Sequence, residues 1–179
     1  GKIIETQQGD RFDATVMTLS NGVKVVLKPT TFKKDEILMT ATSPGGSTCY
    51  GVEEILNLKV FNDVIELGGL GNFSATDLSK RLAGKKVSCA ISLGLDAEHV
   101  NGMAAPADLK TLFELIYLAF TAPRIDEEAY ASYANRMRAQ LQNSELNPMV
   151  IFSDSLTLTA YANHPRALRL RAADFDRIS

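Results

Sequence analysis

The chain has 179 residues, 45% of them hydrophobic and 22% charged, with a formal net charge of −2. That length holds one substantial hydrophobic core, and the composition is that of an ordinary globular domain rather than a disordered one. The charge supplies no broad positive field, which argues against a nucleic acid or an anionic membrane as partner, and no apolar run reaches the roughly 18 to 20 residues that span a bilayer.

Residues 1–13 are mostly polar, carry no signal segment, and read as a linker or an edge extension. Organised structure is expected from Ala14, as a single domain over residues 14–179 that is truncated at its C-terminal end. Apolar runs at 15–19 and 23–27 flank Ser20-Asn21-Gly22, and Asn-Gly is a strong hairpin signal because both residues tolerate positive φ. Val23, Val25 and Leu27 alternate onto one strand face, Pro29 ends the run, and residues 37–42 give a further strand of the same sheet.

Pro44-Gly45-Gly46 breaks the chain before a helix expected over 52–67, whose apolar residues run round more than one face and so require burial against more than one element. Gly68, Gly69 and Gly71 mark a turn, followed by a short helix over 75–82. Val87, Cys89, Ile91 and Leu93 have strand periodicity, with residues 97–104 returning as the partner strand.

The second half changes period. Leu109, Leu112, Phe113, Ile116, Ala119 and Phe120 predict an amphipathic helix closed by Ala122-Pro123. Asp126 caps the next helix, whose core stripe is Tyr130, Tyr133, Ala134, Met137 and Leu141. Asn147-Pro148 starts another with Met149, Phe152, Leu156 and Ala160 on one face; His164-Pro165 ends it, and 172–178 reads as a short helical tail. Strands first and helices grouped later predict an α+β two-layer sandwich, a mostly antiparallel sheet packed against helices.

The chemistry-bearing residues are sparse. Catalytic zinc needs about three protein ligands and an open position, yet His99 and His164 are the only histidines and neither HExxH nor HxxEH occurs. The bland readings are a sheet residue and a helix-end residue. Cys49 and Cys89, forty positions apart, make no zinc-type pair. A Cys49/His99 nucleophile and base is arithmetically available but chemically nonspecific, and no serine sits in GxSxG.

Glu53/Glu54 and Asp126/Glu127/Glu128 are explained by helix starts, which favour negative charge. Asn72-Phe73-Ser74 matches the minimal glycosylation pattern without assigning a compartment. Tyr130, Tyr133 and Phe120 read as core packing before they read as a groove, and Arg166, Arg169, Arg171 and Arg177 as a solvated basic cluster. The loop Ser43, Pro44, Gly45, Gly46 and Ser47 is the one candidate site, a structural or peptide-enclosing loop; it lacks the lysine and hydroxyl of a phosphate loop.

The run from Thr18-Leu19-Ser20-Asn21-Gly22-Val23 through Lys28-Pro29, continued by Thr42-Ser43-Pro44-Gly45-Gly46-Ser47, resembles the opening of a domain of the pitrilysin/insulinase zinc metallopeptidase family. The stretch 108–126, Asn163-His164-Pro165 and Ala172-Ala173-Asp174-Phe175 carry the likeness onward. Active domains of that family bear HxxEH on the early helix, where this chain has Glu54-Ile55-Leu56-Asn57-Leu58-Lys59-Val60-Phe61.

The resemblance therefore implies the zinc-free first domain of the second half of a duplicated protein. That is a non-catalytic, peptide-enclosing domain holding no cofactor, while zinc sits in another domain of the parent, a zinc metalloendopeptidase. Its partners would be that catalytic domain, in the same chain or an associated subunit, and a peptide substrate. A bacterial parent in the periplasm or otherwise extracytoplasmic is compatible. The alternatives are a structural or protein-interaction domain of a non-peptidase assembly, and an unrelated Cys/His enzyme.

Overall fold

A computed structural model describes residues 1–9 and 12–178. The chain divides into two compact units, Gly1–Glu36 and Ile37–Ser179. Asp10 and Arg11, which fall in the expected linker or edge extension, lie outside the described residues, as does Ser179.

The first unit is an antiparallel sheet of β1 (Ile3–Gln8), β2 (Thr15–Leu19) and β3 (Lys24–Leu27), in that order. The Asn21-Gly22 turn joins β2 to β3 as expected, but of the pair only Gly22 takes a positive φ, of 85, and its amide donates to the Leu19 carbonyl at 2.9 Å. Residues 3–8 are the edge strand, bulged between Ile3 and Glu5. Edge position explains why Glu5-Thr6-Gln7-Gln8 form a strand without an apolar period, since all six residues of β1 are exposed. The expected face of Val23, Val25 and Leu27 is only half-buried at Val25 and exposed at the other two.

The second unit opens with β4 (Ile37–Pro44), a 3-10 turn at Val52–Glu54 and helix α1 (Ile55–Val64), then α2 (Ala75–Leu82). β5 (Val87–Leu93) and β6 (Ala97–Ala104) follow, then helices α3 (Leu109–Thr121), α4 (Glu127–Glu145) and α5 (Pro148–Ala160). The sheet order is β4-β6-β5, antiparallel throughout. β4 thus takes β6 as its partner rather than continuing the hairpin sheet that precedes it. The result is an α+β two-layer architecture, helices on antiparallel sheet.

Successive strand residues leave opposite faces, and the burial pattern follows that rule. Val100 and Ala104 of β6 are buried, and α3 packs its Leu112 onto that face over Gly102. A β-carbon at Gly102 would lie 2.8 Å from Leu112 Cδ1, so the glycine lets helix and sheet approach.

α3 turns in most of the stripe expected of it, with Leu112 buried and Leu109, Ile116 and Ala119 half-buried, but leaves out its two phenylalanines. Leu112 and Leu115 are its buried residues, whereas Phe113 and Phe120 are 53% and 65% exposed, alongside Tyr117 at 67%. Leu115 is buried in their stead, so the inward face is turned slightly from the one the periodicity marks. α5 likewise keeps Met149, Phe152 and Leu156 together on one face, but that face is exposed.

A second cluster joins α1 to α4 and the 3-10 turn Ala172–Asp176: Val60, Tyr133, Ala134 and Phe175 are buried, with Tyr130, Met137 and Leu141 packed on them. The α4 stripe is as the sequence spacing predicts, and Phe120 takes no part. Tyr133 Oη donates to Asp63 Oδ2 at 2.7 Å, and its burial, reinforced by that carboxylate, pushes the phenol pKa well up.

α1 is also tied to the sheet. Asn62 Nδ2 donates to the Leu93 carbonyl at 3.1 Å and Asn62 Oδ1 accepts from the Leu93 amide at 2.7 Å. The side-chain amide stands where a neighbouring strand's peptide group would, on an edge that is otherwise open to pairing. Asn62→Ala is expected to lose about 1–3 kcal/mol of stability, because it strips the partner from two backbone groups of β5; urea unfolding measures it, and an unchanged midpoint would show that water replaces the clamp without cost.

Candidate functional site

The 43–47 loop leaves the end of β4 and is held against the β5–β6 turn. The Gly45 amide donates to the Asp96 carbonyl at 2.8 Å, that of Ser47 to Gly94 at 2.9 Å, and that of Thr48 to Leu95 at 3.0 Å. The Gly46 amide donates to Glu98 Oε1 at 2.8 Å. Gly46 has φ 67, and a β-carbon there would lie 2.5 Å from the Ala97 nitrogen, so conformation and space both demand glycine. The loop's amides are therefore spent on the protein's own acceptors, which leaves no cradle for a phosphate.

From the other side the loop is held by Arg166. Its Nη1 donates to the Ser47 carbonyl at 2.8 Å and its Nη2 to the Tyr50 carbonyl at 2.6 Å. Lys59 of α1 donates to the carbonyls of Leu168 and, at 3.4 Å, Arg166. Between these groups lies a pocket of about 270 Å³ lined by both cations and by Ile55, Leu58, Leu93 and Leu95, with Ser47 and Gly94 at its edge. Burial pulls the Lys59 pKa down against the opposing pull of Asp174.

The expected solvated arginine cluster is thus corrected at two members. Arg166 is half-buried over the loop, and Arg169 pairs with Asp154 at 3.0 Å while also donating to Ser144 Oγ at 3.2 Å. Each arginine meets acceptors brought from elsewhere in the chain, Ser47 and Tyr50 in one case and Ser144 in the other. The local signal for Lys59 was present, as the one charged residue in the run Ile55-Leu56-Asn57-Leu58-Lys59-Val60.

On the sheet face opposite α3, the exposed alternation of β4, β5 and β6 presents Thr40, Thr42, Ser88 and Asn101 beside half-buried Ser92 and His99. Thr40 Oγ1 donates to Asn101 Oδ1 at 3.2 Å, and Thr42 Oγ1 lies 3.4 Å from His99 Nδ1 across the strand pair. These are hydroxyl, amide and imidazole groups, able to hydrogen-bond a peptide.

Among the described residues no group of three or more His, Cys, Asp or Glu side chains is placed to hold a metal ion, so the residues present do not fit a catalytic zinc. His99 is a sheet residue, and His164 is a helix-end residue whose Nδ1 accepts from the Arg166 amide at 3.2 Å. No hydrogen bond joins Cys49 to His99 among the described residues. A β-carbon on Gly45 would stand 3.3 Å from Cys49 Sγ and 2.9 Å from Glu98 Oε1, which puts the thiol on the side to which Glu98 points; His99, the next residue, points away.

Burial raises the Cys89 thiol pKa, the behaviour of a packing cysteine rather than a nucleophile. Ser74, the last residue of the glycosylation pattern, caps α2 by accepting from the Asp77 amide at 3.1 Å. Asp126 caps α4 in the same manner at 3.0 Å.

The fold these elements build is shared with portions of solved proteases, and among the described residues it carries no metal cluster. No family model matches the chain. In sequence it is 22% identical over 149 residues to the probable zinc protease PqqL of Escherichia coli, covering 83% of this chain and 16% of that protein.

Among solved structures, the periplasmic protease PqqL from Escherichia coli superposes with a TM-score of 0.82 at 20% identity, over 98% of this chain and 19% of that one. A mutant of the ferredoxin protease FusC, in complex with Arabidopsis ferredoxin, gives 0.80 at 21% identity over 100% of this chain and 20% of that one. A protease from Helicobacter pylori gives 0.63 at 14% identity, over 99% and 41%. The chain therefore spans about a sixth of its curated relative's length. No helix among the described residues is long and apolar enough to cross a membrane.

Proposed function

We propose that this chain is a non-catalytic wall domain of a larger zinc-peptidase-like protein. In this reading the 43–47 loop and the open face of β4-β6-β5 help enclose a peptide, and the bond is cleaved by zinc chemistry in another domain. The observation that carries it is that face: helices cover one side of the sheet, while Thr40, Thr42, Ser88 and Asn101, with the apolar Leu38, Ala90 and Met103 among them, line the exposed strand positions on the other. The likeness to short portions of two much longer proteases supports the parent's class.

The test is photo-cross-linking in the full-length protein, with a photoreactive residue in place of Asn101 and an unstructured peptide as probe. Adducts are expected at Asn101 and, in a control placement, absent from Lys110 on the exposed side of α3. Equal labelling at both positions, or none at either, rejects the wall.

A second reading, an interaction domain in a non-peptidase assembly, draws support from the exposed row of Phe113, Tyr117 and Phe120 on α3, since exposed apolar surface often marks contact with another protein. A stable complex isolated from a parent whose preceding sequence lacks HxxEH would favour it over the wall.

A further inference from the structure

The pocket between α1, the β5–β6 turn and the 165–168 segment has a charge arrangement that the wall does not use. We infer that it is a binding site for a carboxylate carried on a small aliphatic group. Two cations line it, Lys59 and Arg166, and among the described residues neither has a carboxylate within ion-pair distance. Their partners are backbone carbonyls: Ser47 and Tyr50 for Arg166, Leu168 and Arg166 for Lys59.

A guanidinium has five N–H donors and an ammonium three, so donors remain on both after those bonds are counted. The carbonyls orient the two side chains, but they carry no net charge to offset two partly desolvated cations. Asp174 acts on Lys59 only at a distance, because its carboxylate accepts from the Arg171 amide at 2.8 Å and lies 3.8 Å from Arg177. Burial pulls the Lys59 pKa down, and the charge of Asp174 offsets only part of that pull.

An entering carboxylate would supply the countercharge and accept from the free donors, forming the charge-assisted bonds that a planar guanidinium makes well. The remaining wall selects what the carboxylate may be attached to. Ile55, Leu58, Leu93 and Leu95 are aliphatic, and about 270 Å³ is at the small end of ligand pockets. A polyphosphate or a large aromatic acid does not suit that lining or volume; a branched aliphatic acid does.

Two sources share this chemistry, the C-terminal residue of a peptide and a free short-chain acid. N-acetyl-leucine mimics the first and 4-methylpentanoate the second. Saturation-transfer NMR on the full-length protein would measure each, with N-acetyl-leucine amide as the neutral control. The acids are expected to bind at least about tenfold more tightly than the amide, the preference that loss of a charge-assisted pair implies.

Lys59→Gln, which removes the charge and leaves a neutral amide donor on a shorter stem, is expected to erase most of that preference while leaving the melting temperature near its original value. Tighter binding of N-acetyl-leucine would identify a peptide terminus as the ligand, and tighter binding of 4-methylpentanoate a free acid; either supports the site. Equal binding of acid and amide by the unmodified protein overturns it, as does an acid preference that Lys59→Gln leaves intact. Cross-linking from Asn101 reads the wall separately, so failure of one assignment does not pass for failure of the other.

Discussion

Alanine in place of Gly68 is expected to cost the second unit about 3 kcal/mol and to lower its melting temperature by about 10 °C. A β-carbon at this position would overlap the carbonyl oxygen of Arg124, a backbone atom that cannot swing aside as a side chain can. The neighbourhood is pinned as well: the Gly71 amide donates to the Ala122 carbonyl at 2.8 Å, and Leu70 bridges to Pro123. Relief of the clash must therefore move the α1–α2 connection or the entry to α4. Gly51→Ala is the matched control, since the atoms nearest its added methyl are the movable carboxylate end of Glu53. Differential scanning calorimetry on both variants decides the point; equal melting temperatures would mean that the two segments are not in contact in solution.

Leu112→Ala is expected to cost about 3–5 kcal/mol, because the side chain is wholly buried and a cavity would open between α3 and the sheet. Phe113→Ala removes a larger side chain, yet it should cost about 1 kcal/mol or less, since that residue is more than half exposed. The two residues are adjacent on one helix, so the comparison holds length, propensity and neighbourhood nearly constant. Urea unfolding with unchanged slope gives both values. A larger loss at Phe113 would turn α3 over and put its aromatic row in the core.

That pair also shows where sequence reasoning stopped. The period of α3 announces a helix with apolar residues at three- and four-residue intervals, and the helix is there. Its period also marks Leu109, Leu112, Ile116 and Ala119, which do turn inward, but the outward turn of Phe113 and Phe120 goes with the close seating of Leu112 over Gly102, a relation between β6 and α3 that no window within the helix contains. α4 was easier to read, because charged and amide side chains occupy its outer face and leave Tyr130, Tyr133, Ala134, Met137 and Leu141 as a single stripe. The Asn21-Gly22 hairpin was local chemistry and was legible for that reason.

The loop 43–47 was legible as a breaker but not as a fastened one. Its stiffness comes from the 94–98 segment on one side and Arg166 on the other, the latter 119 residues from Ser47. The pocket beneath it was invisible for the same cause: its two cations belong to α1 and to the segment after α5. Gly68 belongs with them, since the need for glycine arises from Arg124 and not from any turn conformation. The lack of HExxH and HxxEH, by contrast, is a property of the sequence itself and is read there directly.

The Asn62 clamp on Leu93 sets a boundary on polymerisation. A bare edge strand offers its backbone as a template, and an extended segment from another molecule can dock along it and expose a fresh edge in turn. With both polar groups of Leu93 occupied by a side chain from α1, any added strand must end its pairing short of that residue, where the helix stands in its path. One amide side chain thus acts as a terminator, shortening the run over which β5 could seed growth of the sheet into a fibre.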